Sequence, residues 1–128
     1  MSWQAYVDSS LLGSGKIDKA AIFSAAGDSV WAASAGFTLL PEEVKKVVNG
    51  FVDPSGLQAN GLHAQGEKYV FLRNIEDRSI YAKRNKEGII CVKTKQAVLI
   101  AHYPENVQAG EATKIVEALA DYLIGVGY

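Results

Sequence analysis

Four short runs at residues 68–74, 79–83, 88–94 and 97–102 constrain this chain more than anything else in it. They are rich in β-branched and aromatic residues and are separated only by polar turns. The gaps are too short to hold a helix, so successive strands must return beside one another as an antiparallel meander. The period then changes. Over residues 111–125, Ala112, Ile115, Val116, Leu119 and Leu123 fall on one apolar stripe, with Val126 continuing it. Thr113, Lys114, Glu117 and Asp121 lie opposite, which is the pattern of an amphipathic helix. Tyr122 sits at the edge of that stripe and is expected to be half exposed.

The first half is mixed. Trp3, Val7 and Leu11 recur at i, i+4 and i+8 and predict a short amphipathic helix ending at Gly13-Ser14-Gly15. Residues 19–24 and 29–33 flank Ala26-Gly27-Asp28, a hairpin signal. Strict alternation would turn Trp31 to the face opposite Val30 and Ala32. Pro41-Glu42-Glu43 followed by Val44, Val47, Val48 and Phe51 predicts a second helix, with proline and acids at its start. Asp53-Pro54-Ser55-Gly56 reads as a turn, and residues 104–109 as a loop. The predicted order is helix, hairpin, helix, four-strand meander, helix, in one domain over residues 1–128. With the first and last helices on one face of the sheet, Trp3, Tyr6, Tyr122 and Tyr128 would meet.

Composition excludes several classes. Apolar residues make up 48% and charged residues 21%, and the net charge is −1. That is ordinary for a globular protein and gives no whole-molecule attraction to nucleic acid. One cysteine, Cys91, excludes an internal disulfide and fits a reducing compartment. No signal peptide or membrane-spanning run is read, so a cytoplasmic location is expected. Charge is uneven, however. Residues 67–95 hold eight bases against four acids. They read either as solvated strand faces or as a surface for an acidic partner or an anionic lipid headgroup.

Catalytic chemistry is missing. Gly13-Ser14-Gly15-Lys16 imitates the tail of a phosphate-binding loop, but Ser10 and Ile17 stand where that motif needs glycine and a hydroxyl. His63 and His102 share no metal-ligand spacing. Cys91 lies in an apolar run and reads as an inert buried thiol. Glu42/Glu43 and Glu76/Asp77 read as helix-start and turn acids. No enzyme activity, cofactor or metal is expected.

The aromatics carry the positive signal. Trp3, Tyr6, Trp31, Tyr122 and Tyr128 hold both tryptophans and half of the six tyrosines. They either staple the terminal helices to the sheet or form a groove for a proline-rich peptide. A polyproline II strand has no internal hydrogen bonds, so its carbonyls accept freely. Aromatic faces match flat proline rings, while indole N–H and phenol O–H groups donate to the carbonyls.

Ser2-Trp3-Gln4-Ala5-Tyr6-Val7-Asp8 resembles the opening signature of the profilin family, and the short loops resemble its fungal branch. The likeness continues through Val30-Trp31-Ala32-Ala33, Gly61-Leu62-His63, Gly66-Glu67-Lys68-Tyr69, Arg78-Ser79-Ile80-Tyr81 and Leu119-Ala120-Asp121-Tyr122-Leu123. The resemblance implies an α/β (α+β) sandwich: a central antiparallel β-sheet, N- and C-terminal helices packed on one face, and a shorter helix on the other. It implies a monomeric, cytoplasmic, cytoskeleton-associated protein that binds monomeric actin, regulates its polymerisation and nucleotide exchange, and binds proline-rich segments of formins. Phosphoinositide headgroups are implied as a further ligand. The alternative is a membrane-surface regulator for which the phosphoinositide is primary and actin secondary.

By resemblance the polyproline residues are Trp3, Tyr6, Trp31, Tyr122 and Tyr128. The actin residues are Lys68, Arg73, Tyr81, Lys83, Val107, Gln108, Gly110, Thr113 and Lys114. Arg73, Arg78, Lys83 and Arg84 are the headgroup candidates. Three positions depart from the family pattern: Ala25, Glu67 and Ala82. A methyl at Ala82 beside Tyr81, and a charge at Glu67 beside Lys68, are expected to weaken the actin face.

Overall fold

The computed structural model describes residues 2–128. Seven strands form one antiparallel sheet: β1 Lys19–Ser24, β2 Val30–Ala33, β3 Leu62–Ala64, β4 Glu67–Ile75, β5 Ser79–Arg84, β6 Glu87–Lys93 and β7 Ala97–Tyr103. Their spatial order is β2-β1-β7-β6-β5-β4-β3. The expected meander is therefore present, with β7 pairing β1 from Lys19–His102 to Ser24–Ala97. Its first strand was not legible, because β3 has only three residues.

Side-chain alternation divides the core. Tyr81, Ile90, Val92, Leu99 and Ala101 point to one face of the sheet, and Ile80, Ala82, Ile89, Cys91, Val98 and Ile100 to the other. Because both faces are covered, β6 and β7 read as nearly continuous apolar runs. The first face packs against the N-terminal helix α1, which starts with Trp3–Ala5 and continues through Tyr6–Leu11 and Leu12–Ser14, and against the C-terminal helix α4, Ala109–Gly125, through Val7, Leu11, Ala112, Val116, Leu119 and Leu123. The second packs against α2, Pro41–Val52, and α3, Ser55–Asn60. Truncating a fully buried aliphatic such as Leu99 in a core of this kind costs about 2–5 kcal/mol. Close approach also fixes glycine at Gly88, where a Cβ would lie 2.2 Å from the Tyr103 ring.

Several expectations need correction. Residues 53–56 are not only a turn: the chain continues into α3, whose Leu57 is buried against the second face. The C-terminal helix begins two residues earlier than read, at Ala109, with Gln108 as its N-cap. Helix α1 is irregular, running as α over Trp3–Ala5, π over Tyr6–Leu11 and 3-10 over Leu12–Ser14. Ser2 caps it through a 3.1 Å bond from the Ala5 N–H to its Oγ. Trp31 does not oppose Ala32. The pairing jumps from Ile22–Ala32 to Phe23–Val30, leaving Trp31 as the extra residue of a β-bulge. Bulges re-aim side chains, and both Trp31 and Ala32 pack into the cluster beneath α1 and α4.

Among the described residues, no buried side-chain polar atom lacks a hydrogen-bond partner. Glu43 begins α2 but is more than a helix-start acid. Its carboxylate is buried and accepts the backbone N–H groups of Leu40 (2.8 Å), Gln65 (3.0 Å) and Gly66 (2.9 Å), tying α2 to the β3–β4 turn. His102 is 2% exposed and lies between Asp18 (2.6 Å) and Glu87 (2.9 Å). Cys91 is fully buried, and loss of solvation pushes its thiol well above the usual range.

Candidate functional site: an aromatic groove and a basic strand face

The five aromatics converge. Trp3 lies with its ring centroid 4.7 Å from Trp31, 5.0 Å from Tyr128 and 5.6 Å from Tyr6, and Tyr6 lies 6.2 Å from Tyr122. Several separate elements deliver these rings. Trp3 and Tyr6 lie on successive turns of α1. The Gln4 side-chain amide donates 3.0 Å to the Ala33 carbonyl and ties that helix to β2, where the bulge presents Trp31. Tyr122 comes from the edge of the α4 stripe and is 54% exposed, matching the sequence expectation.

Tyr128 is held by its backbone. Its N–H donates to the Leu123 carbonyl (2.8 Å), and its own carbonyl accepts from the Thr94 hydroxyl (2.6 Å) and the Gln96 N–H. The Gln96 amide adds a 2.8 Å bond to the Gly127 carbonyl. With the main chain fixed, the Tyr128 ring stands edge-on to Trp3 and remains 41% exposed.

Only Tyr6 among the five is buried, and the approach of the Tyr122 hydroxyl, with burial added, raises its phenol above the ordinary value. It remains a protonated donor at neutral pH. Beyond Tyr6 and Tyr122 an open, largely apolar hollow of about 390 Å³ continues along the α1–α4 seam, lined by Ser10, Ile115, Ala118 and Leu119.

The basic residues form a less uniform set. Arg73 on β4 stacks over Tyr81 on β5, its guanidinium carbon 4.3 Å from the ring centroid. These two residues, with Gly110 and Thr113 at the start of α4, line one cleft of about 170 Å³. Lys83 follows Tyr81 by two on β5, and Lys68 lies at the far end of β4, paired with His63. Lys114 is exposed on α4. Val107 is packed into the core cluster, behind the surface it was expected to contribute to.

The four headgroup candidates are not one free patch. Arg78 is committed to Glu117 and Asp121, each at 2.8 Å, and Arg84 to Glu67 at 2.7 Å. Glu67, one of the departures from the family pattern, is the partner in that last pair. Ala82 faces the α2–α3 core, away from Tyr81, so its methyl does not enter the cleft.

Sequence reasoning missed two contributors. Leu72, at the bulge of β4 between the Phe71 and Arg73 pairings, is exposed and lines the same cleft. Its signal was available: the Tyr69-Val70-Phe71-Leu72 run is continuously apolar, and β4 has no β3 partner past Tyr69, so some of these side chains are left uncovered. Glu117, read as a solvent-facing helix acid, is the second. Its carboxylate collects bonds from Arg78, Ser79 and Tyr81.

An antiparallel sheet with terminal helices side by side and an aromatic groove across their ends defines a class, and the comparisons agree on which. The profilin family model matches residues 1–128, and the chain belongs to the profilin family. It is 63% identical to the profilin of Saccharomyces cerevisiae over 128 residues, covering 100% of each. The crystal structure of Schizosaccharomyces pombe profilin superposes with a TM-score of 0.94 at 62% identity, over 99% of this chain and 100% of that one. Mouse profilin IIa, solved in complex with a double repeat from the FH1 domain of mDia1, matches with a TM-score of 0.82 at 26% identity over 100% of both chains.

Proposed function

We propose that this chain is a non-catalytic adaptor that binds monomeric actin on its basic strand face and proline-rich segments, such as those of formins, in its aromatic groove. The observation that carries the reading is the contact of Trp3 with Trp31, Tyr6 and Tyr128 in one continuous cluster. Three of its members remain at least partly open to solvent with an N–H or O–H donor. A polyproline II ligand is already extended and loses little entropy on binding such a surface. The complex of mouse profilin IIa with a double repeat from an FH1 domain supports the same ligand class.

On the other face, Lys68, Arg73, Tyr81, Lys83, Gln108, Gly110, Thr113 and Lys114 are the proposed actin contacts, with Leu72 added and Val107 acting from beneath. Cations on this face that have no carboxylate partner among the described residues suit an acidic protein surface. Faster nucleotide exchange would follow from preferential binding to an open actin conformation, and requires no catalytic group here. A phosphoinositide headgroup is the weaker reading. Of its four candidate residues, only Arg73 and Lys83 carry no ion pair among the described residues. The family membership and the absence of a membrane-spanning helix among the described residues are consistent with action in the cytoplasm on the actin cytoskeleton.

The test is retention on immobilised poly-L-proline, repeated with monomeric actin as competitor and as co-ligand. Simultaneous binding of both is expected. Competition between them would place both ligands on one face and sink the adaptor reading.

A further inference from the structure

Four hydrogen bonds from three residues converge on the Glu117 carboxylate. Oε1 accepts from Arg78 Nε (3.1 Å) and Nη2 (2.8 Å). Oε2 accepts from the Ser79 hydroxyl (2.7 Å) and the Tyr81 hydroxyl (2.6 Å). A carboxylate has about four lone-pair directions, and all are engaged. Burial alone would raise this carboxyl, but the Tyr81, Ser79 and Arg78 donors outweigh it and hold Glu117 below the ordinary glutamate value. It is therefore an anion at neutral pH, one helical turn beyond Thr113 and the cleft.

The bond to Tyr81 has a consequence on the far side of its ring. A phenol that donates to an anion takes on part of the electron density of a phenolate. A more electron-rich ring attracts a cation on its face more strongly. The cation there is Arg73, at 4.3 Å from the ring centroid, with no carboxylate partner among the described residues. Burial first, and the bond to Glu117 second, raise the Tyr81 phenol, so it stays a donor across the neutral range.

We infer that Glu117 is a positioning residue for the actin face: its carboxylate fixes the Tyr81 ring and, through that ring, holds Arg73 outward as a cation for an acidic surface. The inference rests on the proposed actin reading of this face and deepens it. Glu117 itself need not touch the partner. It acts through Tyr81, and Ser79 is bound to the same oxygen without leading to Arg73. That difference separates positioning from plain helix anchoring.

The experiment measures affinity for monomeric actin, retention on poly-L-proline and thermal stability in wild type, Glu117→Gln, Tyr81→Phe, their double variant and Ser79→Ala. Glu117→Gln is expected to lower actin affinity about tenfold, within the range of a desolvated cation–π contact, while poly-L-proline retention persists. Tyr81→Phe, which keeps the ring and loses the donor, should match it. The double variant should be no weaker than the weaker single, because both remove one pathway. Ser79→Ala should lower stability yet leave actin affinity within about twofold. A folded Glu117→Gln with wild-type actin affinity, additive losses, or an equal loss in Ser79→Ala would overturn the inference. A wild type that fails to bind actin would instead overturn the functional reading beneath it, and this inference with it.

Discussion

The Trp31 ring reaches Trp3, at 4.7 Å between centroids, because β2 carries one residue more than β1 can pair. An unbulged strand would alternate Trp31 away from Ala32 and bury it among the α2–α3 residues or leave it in solvent. The bulge instead places both residues under the terminal helices and closes the aromatic cluster.

Trp3→Ala should abolish binding to poly-L-proline while leaving the fold and actin binding intact. Trp3 touches three of the other four rings, whereas Val7 and Leu11 carry the buried side of α1. Truncating an aromatic at the centre of such a surface costs about 2–4 kcal/mol. Peptide titration together with circular dichroism checks it. Undiminished affinity in a folded variant would show that the cluster only staples the helices.

Tyr128→Ala and deletion of Tyr128 should separate. The alanine variant keeps the carbonyl that accepts from Thr94 and Gln96, so it should lose proline-peptide affinity with little change in melting temperature. Deletion also strips those donors of their acceptor, at roughly 1 kcal/mol for each lost hydrogen bond. Its melting temperature should fall as well. Equal melting temperatures for the two variants would show that the backbone clasp contributes nothing.

Glu43→Ala should be among the most damaging polar substitutions. Three backbone N–H groups at Leu40, Gln65 and Gly66 would lose their only side-chain acceptor, a carboxylate that is itself buried although the donor residues lie nearer the surface. Orphaned donors cost about 1–3 kcal/mol each where water cannot replace the acceptor. Urea denaturation should show a loss of several kcal/mol, with Glu43→Gln milder because it keeps one acceptor oxygen. A loss below about 1 kcal/mol would mean that water enters the β3–β4 turn.

Acid stability should depend on Glu117. Its carboxyl is held below the ordinary value, so the folded state binds this proton less readily than the unfolded chain does. The stabilisation is fully present above the ordinary glutamate value, about 4.3, and is lost as pH falls through the lower folded value. Wild type should therefore exceed Glu117→Gln at pH 7 by about 1.5–3 kcal/mol, the range for bonds to a charged acceptor. The gap should close as pH falls below about 4. A gap that stays constant to pH 2 would show that charge plays no part.

The fold was largely legible because its signals are local. Helix α4 has an unambiguous apolar stripe, and β5, β6 and β7 are bounded by polar turns. What was lost depends on non-local pairing. The three residues of β3 carry no period, and the one-residue excess in β2 exists only relative to β1. Residues 53–56 read as a turn because Pro54 and Gly56 dominate them, yet the burial of Leu57 in the cluster that holds Phe51 and Ile80 carries a helix over Ser55–Asn60. In the site, residue type was enough to pick out the aromatics. It was not enough for the charges. Arg78 and Arg84 read as free cations, and their partners Glu117 and Glu67 lie on other elements.

The two proposed faces should differ in salt dependence, and the ion pairs sharpen this expectation. Lys68, Arg73, Lys83 and Lys114 carry no ion pair among the described residues, whereas Arg78 and Arg84 are already neutralised by carboxylates at 2.8 and 2.7 Å. Glu67 is already counted among the four acids that stand against eight bases over residues 67–95, but Glu117 and Asp121 come from α4, and they make the steering charge of the strand face smaller than that balance suggests. It is still positive, and the partner it is proposed to meet is acidic. Exposed charges lose their reach as the Debye length contracts from about 10 Å at 0.1 M salt to about 3 Å at 1 M. Association with monomeric actin should therefore slow as salt rises, mainly through the on-rate. The aromatic groove is proposed to meet an uncharged ligand with ring faces and neutral donors. Its affinity should stay level, or rise slightly in salts that strengthen apolar burial. Two titrations over one ionic-strength series, with monomeric actin under non-polymerising conditions and with a proline peptide, decide the matter. Equal salt sensitivity would mean that one face is misassigned. Proline binding that collapses with salt would move the groove onto the basic strands β4 and β5.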